Sequence, residues 1–217
     1  MSVMPPTPQF SVAIPAYNEA RYLPQLLDSL DAARARFHGG PQAIEVIIGN
    51  NNSTDATAEL ARARGCSVVD VEKRAIAAAR NGAARAARGE ILCFVDADSV
   101  LHAETFNEID RVLQDRRCIV GATGVKMERM SAGIGVTFAL FMPMTRLFGV
   151  DTGVVFCRRS DFAAVGGYRE ELRVAEDVDF LFRLKRLGWK RGQRFIRTAG
   201  ARTITSTRHA GRTCEWM

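Results

Sequence analysis

Several familiar signatures are missing from this chain. Neither G-x-G-x-x-G nor G-x-x-x-x-G-K-[ST] occurs in its 217 residues, which removes the dinucleotide-fingerprint and P-loop readings. Histidine is scarce, at three residues, and the five cysteines show no zinc-ligand spacing. An odd number of cysteines cannot all pair within one chain. Cys66, Cys93, Cys118 and Cys157 stand in apolar or strand-like surroundings and are expected to be buried thiols of a reducing compartment. Lysine is also rare, with only Lys73, Lys126, Lys185 and Lys190 among 30 cationic residues. The positive charge is therefore mostly arginine, which suits bidentate contacts to phosphate or carboxylate. No polybasic block and no internal repeat is present. The longest charge-free, apolar-leaning stretch, Met130 to Thr145, is broken by Gly133, Gly135 and Pro143 and is short for a membrane span. The opening residues, MSVMPPTPQF, lack the basic and apolar regions of a signal peptide. A cytoplasmic protein without a transmembrane segment is expected. The 130–145 stretch leaves three roles open: a core segment, a substrate-facing lid, or peripheral contact with the inner face of a membrane.

The composition, 47% hydrophobic and 25% charged, is that of an ordinary globular chain. A net charge of +6 favours an anionic partner, whether nucleotide, nucleic acid or membrane. No nucleic-acid motif accompanies the charge, so nucleic acid is not expected.

Strands are predicted at Phe10–Ile14, Ile44–Ile48, Ser67–Val71, Glu90–Val95 and Ile119–Val125. Helices alternate with them, near Tyr22–Arg36, Asp55–Arg64, Lys73–Arg88 and His102–Leu113. This βαβαβαβαβ order argues an α/β fold with a mostly parallel sheet and helices on both faces. Pro15 is expected to stop the first strand, and Ser53 or Thr54 to cap the second helix. Beyond residue 126 a strand is expected over Asp151–Cys157, then a short helix capped by Ser160 or Asp161. A glycine turn at Gly166, Gly167 and Tyr168 follows, and a helix opens at Glu176 and Asp177. Two short strands, Arg194–Ile196 and Ala201–Ser206, complete the fold.

The segment Glu90–Asp98, EILCFVDAD, organises the rest. An unalternating apolar run suits a buried parallel strand, and in open α/β sheets ligands gather beyond the strand carboxyl ends. Asp96 and Asp98 are thus placed at a binding rim, where two close carboxylates can serve Mg²⁺ or Mn²⁺. A plain turn with solvated acids is the competing reading.

Five segments coincide in order: FSVAIPAYNEARYL, the GNNNSTD turn, AAARNGA, the DAD strand end and the AED helix start. Together they strongly resemble the family 2 glycosyltransferases of the GT-A fold, from about Phe10 to His209. The resemblance implies a single GT-A, Rossmann-like domain. Its residues 10–125 would bind a nucleoside-diphosphate sugar, UDP- or GDP-linked, and its residues 126–209 an acceptor. It further implies nucleotide contacts from Ala13, Pro15, Tyr17 and Glu19, with Asn50 and Asn51 in the second loop. Arg80 would support the diphosphate and the aspartates, Asp98 would hold the metal, and Asp96 would lie nearer the ribose or sugar. Gly167 and its turn would border the donor sugar, and Asp177, with Glu176 beside it, would be the general base. His209 would reach the metal or diphosphate.

The chain departs from the family pattern at Asn50 and Asn51, where many relatives carry acids. An amide can still bond a base edge, without charge. The Q-x-x-R-W pattern of processive synthases is absent, so an inverting transfer of one sugar to an acceptor hydroxyl is implied. The apolar 127–149 region is compatible with a lipid-linked acceptor. A nucleotidyltransferase and a non-catalytic nucleotide-sugar-binding protein are the alternative readings.

Overall fold

The computed structural model describes residues 7–127 and 153–205. The stretch at 130–148, His209 and the tail therefore lie outside the described residues. Among the described residues eight strands form one sheet: β1 (Phe10–Ala16), β2 (Ile44–Asn50), β3 (Ser67–Asp70), β4 (Ile91–Phe94), β5 (Ser99–Val100), β6 (Cys118–Met127), β7 (Val155–Arg158) and β8 (Arg194–Thr205). Among the described residues the helices are α1 (Leu23–Arg36), α2 (Thr57–Ala63), α3 (Ile76–Ala86), α4 (Thr105–Leu113), α5 (Arg159–Ala164) and α6 (Glu176–Lys190).

The sheet order is β3-β2-β1-β4-β7-β6-β8-β5. Strands β3, β2, β1 and β4 are parallel, and β6 is parallel to β8. Strand β7 runs antiparallel between β4 and β6, and β5 pairs antiparallel with β8 at the edge. The fold is thus the expected mixed, mostly parallel α/β sheet. After β1 the chain crosses to β2 and β3 on one side and to β4 on the other. This reversal opens a crevice at the carboxyl ends of β1 and β4, where α/β sheets bind ligands.

Alternation along the strands divides two apolar cores. Phe10, Val12, Ile14, Ile91 and Cys93 pack beneath Leu23, Leu26 and Leu30 of α1 and Phe106 and Ile109 of α4. Ala13, Leu92 and Phe94 face the other way, against Ala77, Ala83 and Ala84 of α3 and Phe180, Leu181 and Leu184 of α6. Each large buried side chain contributes about 1.5–3 kcal/mol. Cys93, Cys118 and Cys157 are buried, while Cys66 is only partly so. Burial raises the Cys118 thiol to about 11, so it is inert near neutrality.

Pro15 does not end β1; the strand runs on to Ala16, with Pro15 opposite Gly49. The Ala13 carbonyl accepts from the Val95 N–H at 3.2 Å, so Ala13, and with it Pro15 two residues on, turns its backbone toward β4. The β1–β4 ladder ends at the Ala13–Phe94 pair. Pro15 therefore lacks its N–H on a side where no ladder partner remains. The expected cap of α2 is also corrected. Ala56 occupies that position, and Asp55 Oδ1 accepts from the Thr57 N–H at 3.0 Å. Ser53 and Thr54 instead tie this loop to the first one. Helix α5 begins at Arg159 with no side-chain cap; Asp161 lies in its first turn and pairs with Arg191 at 2.7 Å. The two short C-terminal strands are one, β8, with a register shift opposite Ala122 and Gly124. Strand β5, two residues long, has no sequence pattern of its own.

Gly49 sets the closeness of α3 to the sheet. A Cβ there would lie 2.2 Å from the Ala79 carbonyl oxygen. Arg80 is the next residue of that helix. Gly49→Ala is expected to cost about 3 kcal/mol through overpacking against backbone. Urea unfolding would show it as a lowered midpoint at unchanged m-value.

Candidate active site

The rim is assembled around Arg80, whose side chain is only 5% exposed. Its Nη1 donates to Glu176 Oε1 at 3.0 Å and to Asp177 Oδ1 at 2.7 Å, and its Nη2 to Asp96 Oδ1 at 2.8 Å. One guanidinium thus joins α3, the turn after β4, and the first turn of α6. Its face lies 5.3 Å from the Tyr168 ring centroid, within cation–π range. Tyr168 in turn stacks on Phe180 at 4.1 Å.

Local sequence explains why each partner is there. Asp96 and Asp98 follow β4 in a tight turn closed by Ser99 N–H to the Asp96 carbonyl at 3.1 Å. Asp96 stays half-exposed, whereas Asp98 is buried at 8% exposure. Glu176 and Asp177 open α6, where acids match the helix dipole. The residue before them, Ala175, holds φ at 62°, a left-handed conformation costing about 1–2 kcal/mol for a non-glycine residue. The aromatic cluster of Phe94, Phe162, Tyr168 and Phe180 supports the floor beneath.

Electrostatics separate the carboxylates. Burial pushes the Asp177 carboxyl up, the Arg80 charge pulls it down, and the charges of Asp96 and Glu176 push it up again, to about 6. Its side chain keeps 38% exposure, so water screens part of this field. Burial lowers the Arg80 pKa, and its carboxylates more than offset this, leaving it well above the usual arginine range.

The first and second loops are locked together. Asn18 Oδ1 accepts from the Thr54 N–H at 2.8 Å and its own N–H donates to Ser53 Oγ at 3.1 Å. The Glu19 N–H donates to Thr57 Oγ1 at 2.8 Å. Tyr17 lies at the rim beneath Arg74, whose guanidinium sits 4.4 Å from the ring centroid. Glu19 is buried, and its carbonyl accepts from the N–H groups of Tyr22 and Leu23. Ala13 lies below the rim, with its side chain in the core beside Ile47 of β2 and Leu92 and Phe94 of β4. Pro15 lies nearer the rim, at the end of the β1–β2 ladder. Asn50 donates to Asp70 Oδ1 at 2.7 Å. Asn51 is fully buried; it donates to the Val71 and Lys73 carbonyls at 2.8 and 2.7 Å and accepts from the Ala75 N–H at 3.0 Å. Its amide shapes the loop into α3.

Asn81 was not singled out in the sequence. It accepts from the Tyr168 N–H at 2.9 Å and donates to the Tyr168 carbonyl at 2.8 Å and Glu170 Oε1 at 2.9 Å. This clamp fixes the glycine turn, where Gly167 has φ of 68° and a Cβ would lie 2.7 Å from Asn81 Oδ1. The signal was Asn81 standing beside Arg80 in an otherwise alanine-rich helix.

Among the described residues no group of three or more His, Cys, Asp or Glu side chains is gathered to hold a metal ion. Asp96 and Asp98 supply two hard oxygen donors. Magnesium-type cations are commonly held by one or two carboxylates, with substrate phosphates and water completing the shell. The donor set therefore fits a cation that arrives with a diphosphate.

The glycosyl transferase family 2 model matches residues 11–166, well over half of the chain. The chain belongs to this family. It is 29% identical over 119 residues to the putative glycosyltransferase EpsH of Bacillus subtilis, covering 52% of this chain and 33% of the relative. The structure of Staphylococcus aureus TarS residues 1–349 with UDP-GlcNAc superposes at a TM-score of 0.72 with 23% identity, over 94% of this chain and 60% of that one. The mannosyltransferase PcManGT of Pyrobaculum calidifontis, with GDP-Man and Mn²⁺, superposes at 0.71 with 21% identity, over 94% and 59%. These structures share the GT-A-type fold. The chain spans about a third of the curated relative it matches.

The raised Asp177 pKa has a consequence for stability. The folded state holds this proton up to about pH 6, the unfolded chain only to about pH 4. Stability from this group is therefore lost as pH rises through that window. Asp177→Asn is expected to raise the thermal midpoint above pH 6 and to leave it nearly unchanged at pH 4. Differential scanning calorimetry against pH checks this.

Proposed function

We propose that this domain performs an inverting transfer of one sugar from a nucleoside-diphosphate sugar to an acceptor hydroxyl. The observation that carries the reading is the buried Arg80 gripping Asp96, Glu176 and Asp177 at the carboxyl ends of the parallel strands. The family and the shared fold support it. TarS binds UDP-GlcNAc and PcManGT binds GDP-Man in the same architecture, so a UDP- or GDP-linked donor is the substrate class.

The nucleotide would lie over the first two loops, with Tyr17, Pro15, Glu19 and Asn50 bordering it. The donor sugar would sit between Asp96 and the turn at Gly167. Asp98, with Asp96, would hold Mg²⁺ or Mn²⁺, as PcManGT carries Mn²⁺ with its donor. When bound, such a cation offsets charge on the departing diphosphate. Asp177 accepts the acceptor hydroxyl proton as that oxygen attacks the anomeric carbon from the opposite face. The anomeric carbon–oxygen bond to the diphosphate breaks with its electron pair, and the configuration inverts. Arg80 acts by fixing Asp177 and Asp96 relative to one another; both terminal nitrogens are engaged with carboxylates. Glu176 shares that grip. Residues 10–125 would form the donor half of this scheme and residues 126–209 the acceptor half; the apolar sequence of 127–149 is compatible with a lipid-linked hydroxyl.

The test is nucleoside diphosphate release from a panel of UDP- and GDP-sugars with Mn²⁺. One donor is expected to turn over slowly, Asp98→Ala to abolish its binding, and Asp177→Asn to spare binding while cutting turnover by about a hundredfold or more. Failure of every donor to bind with metal sinks the proposal. Because Asp177 must be ionised in the free enzyme, kcat/KM should fall about tenfold per pH unit below pH 6. A profile flat down to pH 4.5 would remove Asp177 from the base role.

A further inference from the structure

Helix α6 carries the acid pair at its first turn and buries Phe180, Leu181, Leu184 and Gly188 along its inner side. Its outer side is not the polar stripe that a surface helix normally presents. Phe182 is 58% exposed and Trp189 83% exposed, and Val174, just ahead of the helix, is 81% exposed. Seven residues separate Phe182 from Trp189, so they share one face about 10 Å apart.

Cations stand beside this ridge. Arg186 and Lys190 are exposed and flank Trp189. They line a shallow hollow of about 200 Å³ together with Arg183, Val165 and Leu187. The acid on this side, Asp179, is already matched by Arg183 at 2.7 Å and Arg169 at 3.3 Å. Glu176 and Asp177 turn inward to Arg80. The ridge therefore combines an exposed indole, an exposed phenyl ring and, on one helix face, the cations Arg186 and Lys190, which form no salt bridge among the described residues.

We propose that this face of α6 docks on an anionic phospholipid bilayer. Tryptophan and phenylalanine insert at the headgroup level, and lysine and arginine meet the lipid phosphates. A second copy of this chain fits less well. A two-fold pairing of the ridge would set Arg186 and Lys190 close to the same cations of the partner. Docking by this face lays α6 along the surface and brings the rim, at its N-terminal end, beside the membrane. The attachment needs neither donor nor acceptor, so it stands or falls separately from the sugar transfer.

The chain has two tryptophans; Trp216→Phe leaves Trp189 as the sole indole reporter. That protein is titrated with vesicles of phosphatidylcholine, alone or with about a third phosphatidylglycerol, at low and high salt. A blue shift with the anionic vesicles alone, weakened by salt, is expected. In co-sedimentation, Phe182→Ser with Trp189→Ser should weaken binding at least about tenfold. Arg186→Glu with Lys190→Glu should do the same, each cation contributing about fivefold. Circular dichroism and donor hydrolysis without lipid should be unchanged in both. No shift with anionic vesicles, equal sedimentation of the variants, or a dimer in light scattering that Phe182→Ser with Trp189→Ser dissolves would overturn the proposal.

Discussion

Everything at the rim depends on one buried cation. Arg80, itself buried, sits between carboxylates from two distant parts of the chain, Asp96 and the adjacent Glu176 and Asp177, which would otherwise repel each other. A buried charge is tolerable only when paired and hydrogen-bonded, and here the pairing fixes three elements at once. The turn after β4, the start of α6 and the middle of α3 cannot shift independently while the guanidinium joins Asp96, Glu176 and Asp177. Gly49 permits the approach of α3, and the Asn81 clamp holds the glycine turn and the Tyr168 ring that backs Arg80. The left-handed Ala175 is the strained joint that this network sustains.

The same arrangement gives the carboxylates different characters. Asp96 is half-exposed at the rim, while Asp177 is pushed to about 6 by burial against the pull of Arg80. A group that titrates just below neutrality is suited to accept a proton near pH 7 and remain available for the next cycle. A site built this way sacrifices some stability, as functional sites commonly do.

Much of the fold was legible because it rests on periodicity. The short β-prone runs at Phe10–Ile14, Ile44–Ile48 and Glu90–Val95 suit strands, and their alternation with helices argued the parallel half. The antiparallel β7 and the two-residue β5 were harder, since a short strand carries no mark of direction. Pro15 misled because its missing N–H matters only on a side with a ladder partner, and where β4 stops is a tertiary fact. Among site residues, Arg80, Asp96, Glu176 and Asp177 were named from the family pattern, and the structure brings them together. The packing of Ala13 in the core and the backbone bonds of the Asn51 amide were not legible, because a small side chain and an amide carry no mark in sequence of which neighbours they meet. Asn81 was overlooked because its partners, Tyr168 and Glu170, lie nearly ninety residues away.

The central claim is that burial raises the Asp177 carboxyl at the rim and the Arg80 charge limits that rise. Its most direct test is a carbon-13 NMR titration of the aspartate side-chain carboxyls, with Asp177 assigned by its loss in Asp177→Asn. The account predicts a midpoint near pH 6 in the wild-type protein and a clear upward move in Arg80→Met, where the compensating charge is gone. A midpoint near 4 in both proteins would contradict it.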